Sequence, residues 1–211
     1  MKNLVYKEIK LSIHRFYFLL PILLGLLMFI PNWIFTLVFM YFFWITAPQL
    51  YASYNAQQDG AFLMMLPISK KEYVKAKIMS LYILEGFHIF FGFLFGIIHN
   101  LIYGSFNWFF DINFAFFGLV LVLFSVFNLV FLPMYFKTGY YFGKPVIIAI
   151  VSTMIFAFLM EYSVFQYPWV QNFLEGNWID QGIIVFISVV LTIIMNWVSM
   201  QRSIWKYERS S

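Results

Sequence analysis

Between Ile13 and Ser53 the chain is almost wholly apolar, interrupted only at Pro31-Asn32, and that run dictates what can be built from it. A helix needs roughly 20 mainly apolar residues to cross a bilayer, with about 17 as a lower bound. Two such helices fit, Ile13 to Ile30 and Trp33 to Ser53, joined by a tight Pro-Asn turn. Four more runs follow: Ile78 to Tyr103, Asn113 to Met134, Val146 to Phe165 and Gly182 to Met200. Across 211 residues, 63% are hydrophobic, 10% are charged, and mean hydropathy is +0.83. One soluble core could not bury so much apolar surface, so the bilayer must be the solvent. The sequence reads as an all-α membrane protein: six transmembrane helices in a single domain spanning 1–211.

The charges orient the spans. Lys2, Lys7, Lys10 and Arg15 precede the first span, and Lys70, Lys71, Lys75 and Lys77 precede the third. Lys137 and Lys144 follow the fourth, and Arg202, Lys206 and Arg209 follow the sixth. Those 13 residues are every Lys and Arg in the chain, and with six spans all fall on one side. The opposite connections hold Asp111, Glu175 and Asp180 but no cation. Cytoplasmic loops collect Lys and Arg, so both termini are expected in the cytoplasm of a multi-pass cell-membrane protein. Trp33, Trp108, Trp169 and Trp178 then mark the outer interface and Trp205 the inner one. A net charge of +4 does not point to nucleic acid, because the basic residues flank apolar runs. The absence of cysteine excludes disulfides and thiolate sites. The basic opening resembles a signal peptide, but no small-residue cleavage site follows it, so the first apolar run is expected to stay as a span.

Three stretches lie outside the spans. Residues 1–15 read as an interfacial amphipathic helix, with Leu4, Val5, Ile9, Ser12, Ile13 and Phe16 on one face and Lys7 and Lys10 off it. Residues 162–180, between the fifth and sixth runs, set Pro168, Trp169, Phe173 and Trp178 among polar residues. Residues 54–77 are the longest polar stretch. Ala61 to Leu66 is too short to cross, so it reads as a short helix at the membrane surface that Pro67 ends. Ser69 and Glu72 form a capping box that restarts a helix into the third span.

This order, ending in Leu66-Pro67-Ile68-Ser69-Lys70-Lys71-Glu72-Tyr73-Val74-Lys75-Ala76-Lys77, resembles the permease subunits of ABC type-2 exporters. Within them it is most similar to the small permeases of Gram-positive bacteria, such as those of the phenol-soluble modulin exporters. The resemblance implies that the link between spans two and three is a coupling helix docking on a separate ATPase subunit. By position, Asn55, Gln58, Asp59, Phe62 and Leu66 would lie on that helix, with Asp59 its acidic member. Ser69, Lys70, Lys71 and Glu72 would form the turn back into the membrane. It further implies an extracellular interfacial segment between spans five and six, the place of residues 162–180, and a bacterial chain that exports its cargo and pairs with an identical or paralogous protomer. The charge-poor, Phe-rich interior suits amphipathic or hydrophobic cargo: peptide, lipid or drug. No cofactor is expected on this chain, with ATP and Mg on the partner.

Consistent with that division, no phosphate-binding loop is present. The nearest string, Gly139-Tyr140-Tyr141-Phe142-Gly143-Lys144-Pro145, is one residue short and ends in proline. The three histidines, His14, His88 and His99, form no metal-protease motif, and no opposing span offers haem ligands. An intramembrane enzyme would need catalytic residues that the sequence lacks. The competing reading is a substrate-binding or sensor-associated membrane subunit without ATP coupling, which would meet its partner through small-residue membrane helices.

Inside the spans, Glu85, His88, Gly92, Gly96 and His99 fall on one face of the third helix. That face would line the translocation path or the protomer interface, with Glu85 and His88 coupled, or else would be internal packing. Ser188, Thr192, Asn196 and Ser199 form a similar face on the sixth span, read as helix-packing glue. Asn128 and Pro133 suggest a local break in the fourth.

Overall fold

A computed structural model describes residues 2–56, 67–104, 107–138 and 141–210. Helix α1 (Lys2–Lys7) widens into a π turn over Glu8–Ser12. Helix α2 (Phe16–Gly25) tightens into a 3₁₀ turn at Leu26–Phe29, and the chain then turns at Asn32, whose φ of 54° is left-handed. Asparagine tolerates that conformation better than most residues, which suits it to the Pro-Asn turn. Helices α3 (Thr36–Tyr41) and α4 (Ala47–Ala56) form one rod interrupted by a π turn at Phe42–Thr46. Pro48 explains the interruption: it has no amide to donate and its ring crowds the carbonyl four residues back, so the ladder loosens just ahead of it.

Helix α5 (Lys70–Tyr103) opens at the expected capping box. Glu72 N donates to Ser69 Oγ at 3.2 Å, and Ser69 N donates to Glu72 Oε2 at 3.3 Å. Helices α6 (Phe114–Thr138) and α7 (Gly143–Gln166) follow, then the short α8 (Pro168–Leu174) and the long α9 (Trp178–Ser210). Proline at the start of α8 suits a position whose amide has no helical partner. The break expected near Asn128 and Pro133 does not occur, and α6 continues through both to Thr138.

Helices α5, α6, α7 and α9 are long and apolar enough to cross a membrane. The first apolar segment is helical only over Phe16–Phe29. At ordinary rises it spans about 23 Å, short of a hydrocarbon core of about 30 Å. Length and composition therefore give four spans outright, with α2 and the α3–α4 rod as shorter or interrupted apolar elements.

Packing sorts the molecule into two ends. Helices α9 and α7 flank α6, while α2, α3 and the N-terminal segment lie against α5. At one end the rings of Tyr73, Phe136 and Tyr207 pack together in edge-to-face and tilted contacts, joining the start of α5 to the ends of α6 and α9. At the other end the loop 107–113 meets Trp33, Glu161 and Leu174. Between them lies a core of phenylalanines: Phe39, Phe43, Phe124 and Phe127 interlock, with Phe43 stacked on Phe127 at 4.6 Å. Outward, Phe158, Phe165, Phe186 and Trp197 remain exposed.

Candidate functional site

The basic end carries the stems of the 57–66 segment. Asn55 lies in the last turn of α4, and Ser69, Lys70, Lys71 and Glu72 open α5, with both lysines exposed. Gln58, Asp59, Phe62 and Leu66, the other expected docking residues, lie outside the described residues. Two turns into α5, Lys77 is buried where a solvated flanking charge would be expected. Its Nζ lies 2.8 Å from Glu8 Oε2 and 3.2 Å from the centre of the Tyr54 ring. Lys77 and Glu8 are each 1% exposed. Lys7 takes the other Glu8 oxygen at 3.2 Å.

Sequence reading overlooked Glu8, although the signal was there. It falls four residues from both Leu4 and Ser12, on the apolar face of the N-terminal helix, where a carboxylate must find a partner.

Deeper in, Glu85, His88, Gly92, Gly96 and His99 share one buried face of α5, turned toward this chain's own helices. His88 Nε2 binds the Val38 carbonyl at 3.0 Å, and His99 Nδ1 binds the Met28 carbonyl at 2.5 Å. The first contact sits beside the π turn, where the Phe42 amide bonds Phe39 and Met40 instead of Val38. A Cβ on Gly92 would come within 2.5 Å of the Phe39 ring, and one on Gly96 within 2.9 Å of Ile112. These glycines let α3 and the loop before α6 close on α5.

Glu85 and His88 find separate partners. Asn128 Nδ2 donates to Glu85 Oε2 at 2.9 Å and to Asn196 Oδ1 at 3.1 Å; Asn196 in turn donates to Ser125. Ser199 Oγ donates to the Asn128 carbonyl at 2.6 Å. Asn196 and Ser199 of the sixth expected span and Asn128 of the fourth thus join Glu85 in one cluster across α5, α6 and α9; Ser188 and Thr192 make no hydrogen bond to it.

The acidic end works differently. Glu161, which sequence reading missed, takes the Thr36 hydroxyl on one oxygen and the Phe110 amide at 3.1 Å on the other. A lone carboxylate within an apolar run was its signal, since such a group must be bonded or cost several kcal/mol. Asp111 N donates to Glu175 Oε1 at 2.9 Å, and Asn107 N donates to Asp111 Oδ1 at 2.7 Å. Burial raises the Asp111 carboxyl from 3.8 to about 6, helped by the charge of Glu175 and opposed by the Asn107 amide.

Beside this end an open cavity of about 280 Å³ lies between α5, α6 and α9, lined by Phe93, Phe117 and Trp178 with Asn100, Asn113 and Gln181. None of the five inward α5 residues lines it.

No curated protein and no solved structure matches the chain. The family model described as ABC-2 family transporter protein matches residues 3–208, from the N-terminal helix to the last turns of α9. The stems flanking 57–66, the long apolar helices and the buried polar cluster all fall inside that match, and the chain belongs to the ABC-2 transporter family as a membrane permease.

Proposed function

We propose that the chain is the permease half of an ATP-driven exporter, with six spans and both termini in the cytoplasm. The family match over nearly the whole chain carries this reading. The separation of a basic end from an acidic end supports the orientation, because cytoplasmic loops collect Lys and Arg. In this arrangement α2 and the α3–α4 rod are the first two spans. The 54–77 segment is the coupling element, meeting a separate ATPase subunit that holds ATP and Mg. The permease pairs with a second copy or a paralogue, leaving Phe158, Phe165, Phe186 and Trp197 for lipid and the partner protomer. The cargo is amphipathic or hydrophobic: a peptide, a lipid or a drug of that character.

Mechanistically, closure of the ATPase pushes the coupling element, and the stiff, capped start of α5 carries that motion into the membrane. Glu85, His88 and His99 serve the moving helix as internal fasteners. Asp59→Lys or Leu66→Arg should release the ATPase on co-purification and abolish the stimulation of its hydrolysis. Intact co-purification with full stimulation in both variants would overturn the assignment of the coupling element.

A further inference from the structure

Glu8, Tyr54 and Lys77 come from three separate segments and meet at one point. Tyr54 is two residues from the end of α4, the helix leading into the 57–66 segment, and Lys77 is the eighth residue of α5, the helix leading out of it. Glu8 belongs to the N-terminal segment. One ammonium group therefore holds both stems of the cytoplasmic segment and the N-terminal helix together, at 2.8 Å to Glu8 and 3.2 Å to the Tyr54 ring.

Stability alone does not account for this choice of residues. Burying an ion pair removes two charges from water, and apolar side chains of similar volume often hold a site as well or better. A charged pair differs from apolar packing in direction: two leucines can slide past each other, whereas a carboxylate and an ammonium resist separation. The π turn at Glu8–Ser12 ends just before Ile13, which leaves the helical ladder with an extended backbone. The N-terminal helix is therefore not a rigid extension of α2, and its position depends on what it touches.

We infer that Glu8, Lys77 and Tyr54 form a brace that makes the N-terminal helix move as one body with the stems of the coupling segment. Lys77 is the positioning residue and Glu8 its grip on the N-terminal helix. The aromatic face of Tyr54 adds a cation–π contact that ties in α4. This inference rests on the reading that an ATPase engages residues 54–77.

The test uses the full chain in nanodiscs with the ATPase it retains. The absence of cysteine makes it ready for paired spin labels. Exposed positions serve: Tyr6→Cys with Met79→Cys across the brace, and Tyr6→Cys with Ile147→Cys on α7, which packs on α6 rather than on α5, as the outside reference. On trapping with ATP and vanadate, the first distance should hold while the second shifts. Glu8→Gln combined with Lys77→Met removes both charges without leaving one buried alone. In that background the first distance should shift as well, and stimulation of hydrolysis should fall toward the rate of the free ATPase. Tyr54→Leu, which spares the ion pair, should produce a smaller loss of stimulation. A first distance that changes in the unaltered chain, or a second that does not, overturns the brace whatever the variants do. So does a double variant with unaltered distances and stimulation. Should the unaltered chain retain no ATPase, the function proposed above fails and the brace's role falls with it.

Discussion

The two ends of the bundle bury carboxylates by opposite means. At the basic end Glu8 is neutralised by a cation from a helix 69 residues away in sequence. At the acidic end Glu161 is held by a hydroxyl and a backbone amide, with no cation among its bonds to the described residues. The first arrangement ties segments together through charge, and either partner alone becomes a liability. The second uses the carboxylate as a two-pronged acceptor that fixes a loop, and the charge itself is secondary. Removing charge without removing shape should therefore hurt one end and spare the other.

The sharpest break of that comparison is Lys77→Met. It leaves the buried Glu8 with only the partly exposed Lys7 at 3.2 Å, so the loss should approach, without reaching, the roughly 3–5 kcal/mol of a buried pair broken on one side. Thermal unfolding in detergent should show a large fall in midpoint, most of it recovered when Glu8→Gln is added. Absence of recovery would mean that the lysine stem, rather than the charge, carries the contact.

Glu161 provides the counterpart. Glu161→Leu strands the Phe110 amide and the Thr36 hydroxyl, at about 1–3 kcal/mol for buried groups left unpaired. Glu161→Gln keeps the acceptor oxygen for Phe110, and its amide can donate to Thr36, so its loss should be well under half that of Leu. Equal losses for Gln and Leu by thermal unfolding would show that charge matters at this end too, and the contrast would collapse.

How much of this was written in the sequence follows from the same physics. Apolar run length and the Ser69–Glu72 pair gave the long helices and the start of α5, because both rest on local chemistry. The inward face of α5 was visible as a set of residues, because period alone places Glu85, His88, Gly92, Gly96 and His99 together. What that face meets was not visible. His88 bonds Val38 beside a π turn that depends on Pro48, and Glu85 bonds Asn128 rather than His88. Neither partner follows from spacing within one helix. Glu8 and Lys77 were harder still: each looks like an ordinary flanking charge until packing brings the N-terminal segment against α5. The expected spans were also more regular than the protein, since a hydropathy run does not register the end of α2's ladder at Phe29 or the π turn before Pro48.

The smallest expected effect lies at Asp111 and sharpens the contrast through pH. Because burial and Glu175 raise its carboxyl from 3.8 to about 6, the folded state holds that proton more tightly than the unfolded chain. Folding then takes up a proton in this window, so the site loses stability as pH rises. The penalty is absent below the unfolded value near 3.8 and complete above about 6. Asp111→Asn keeps an acceptor for the Asn107 amide, which the side chain meets at 2.7 Å, and removes the repulsion with Glu175. Its unfolding midpoint should match the unaltered chain near pH 4 and lie slightly above it at pH 7, the gap opening between those values. Solvent reaching this half-buried loop keeps the gap modest. A gap that is constant with pH, or that opens in the opposite sense, would mean that neither burial nor the Glu175 charge raises the Asp111 carboxyl in the folded protein. The acidic end would then be held by its hydrogen bonds without any electrostatic strain.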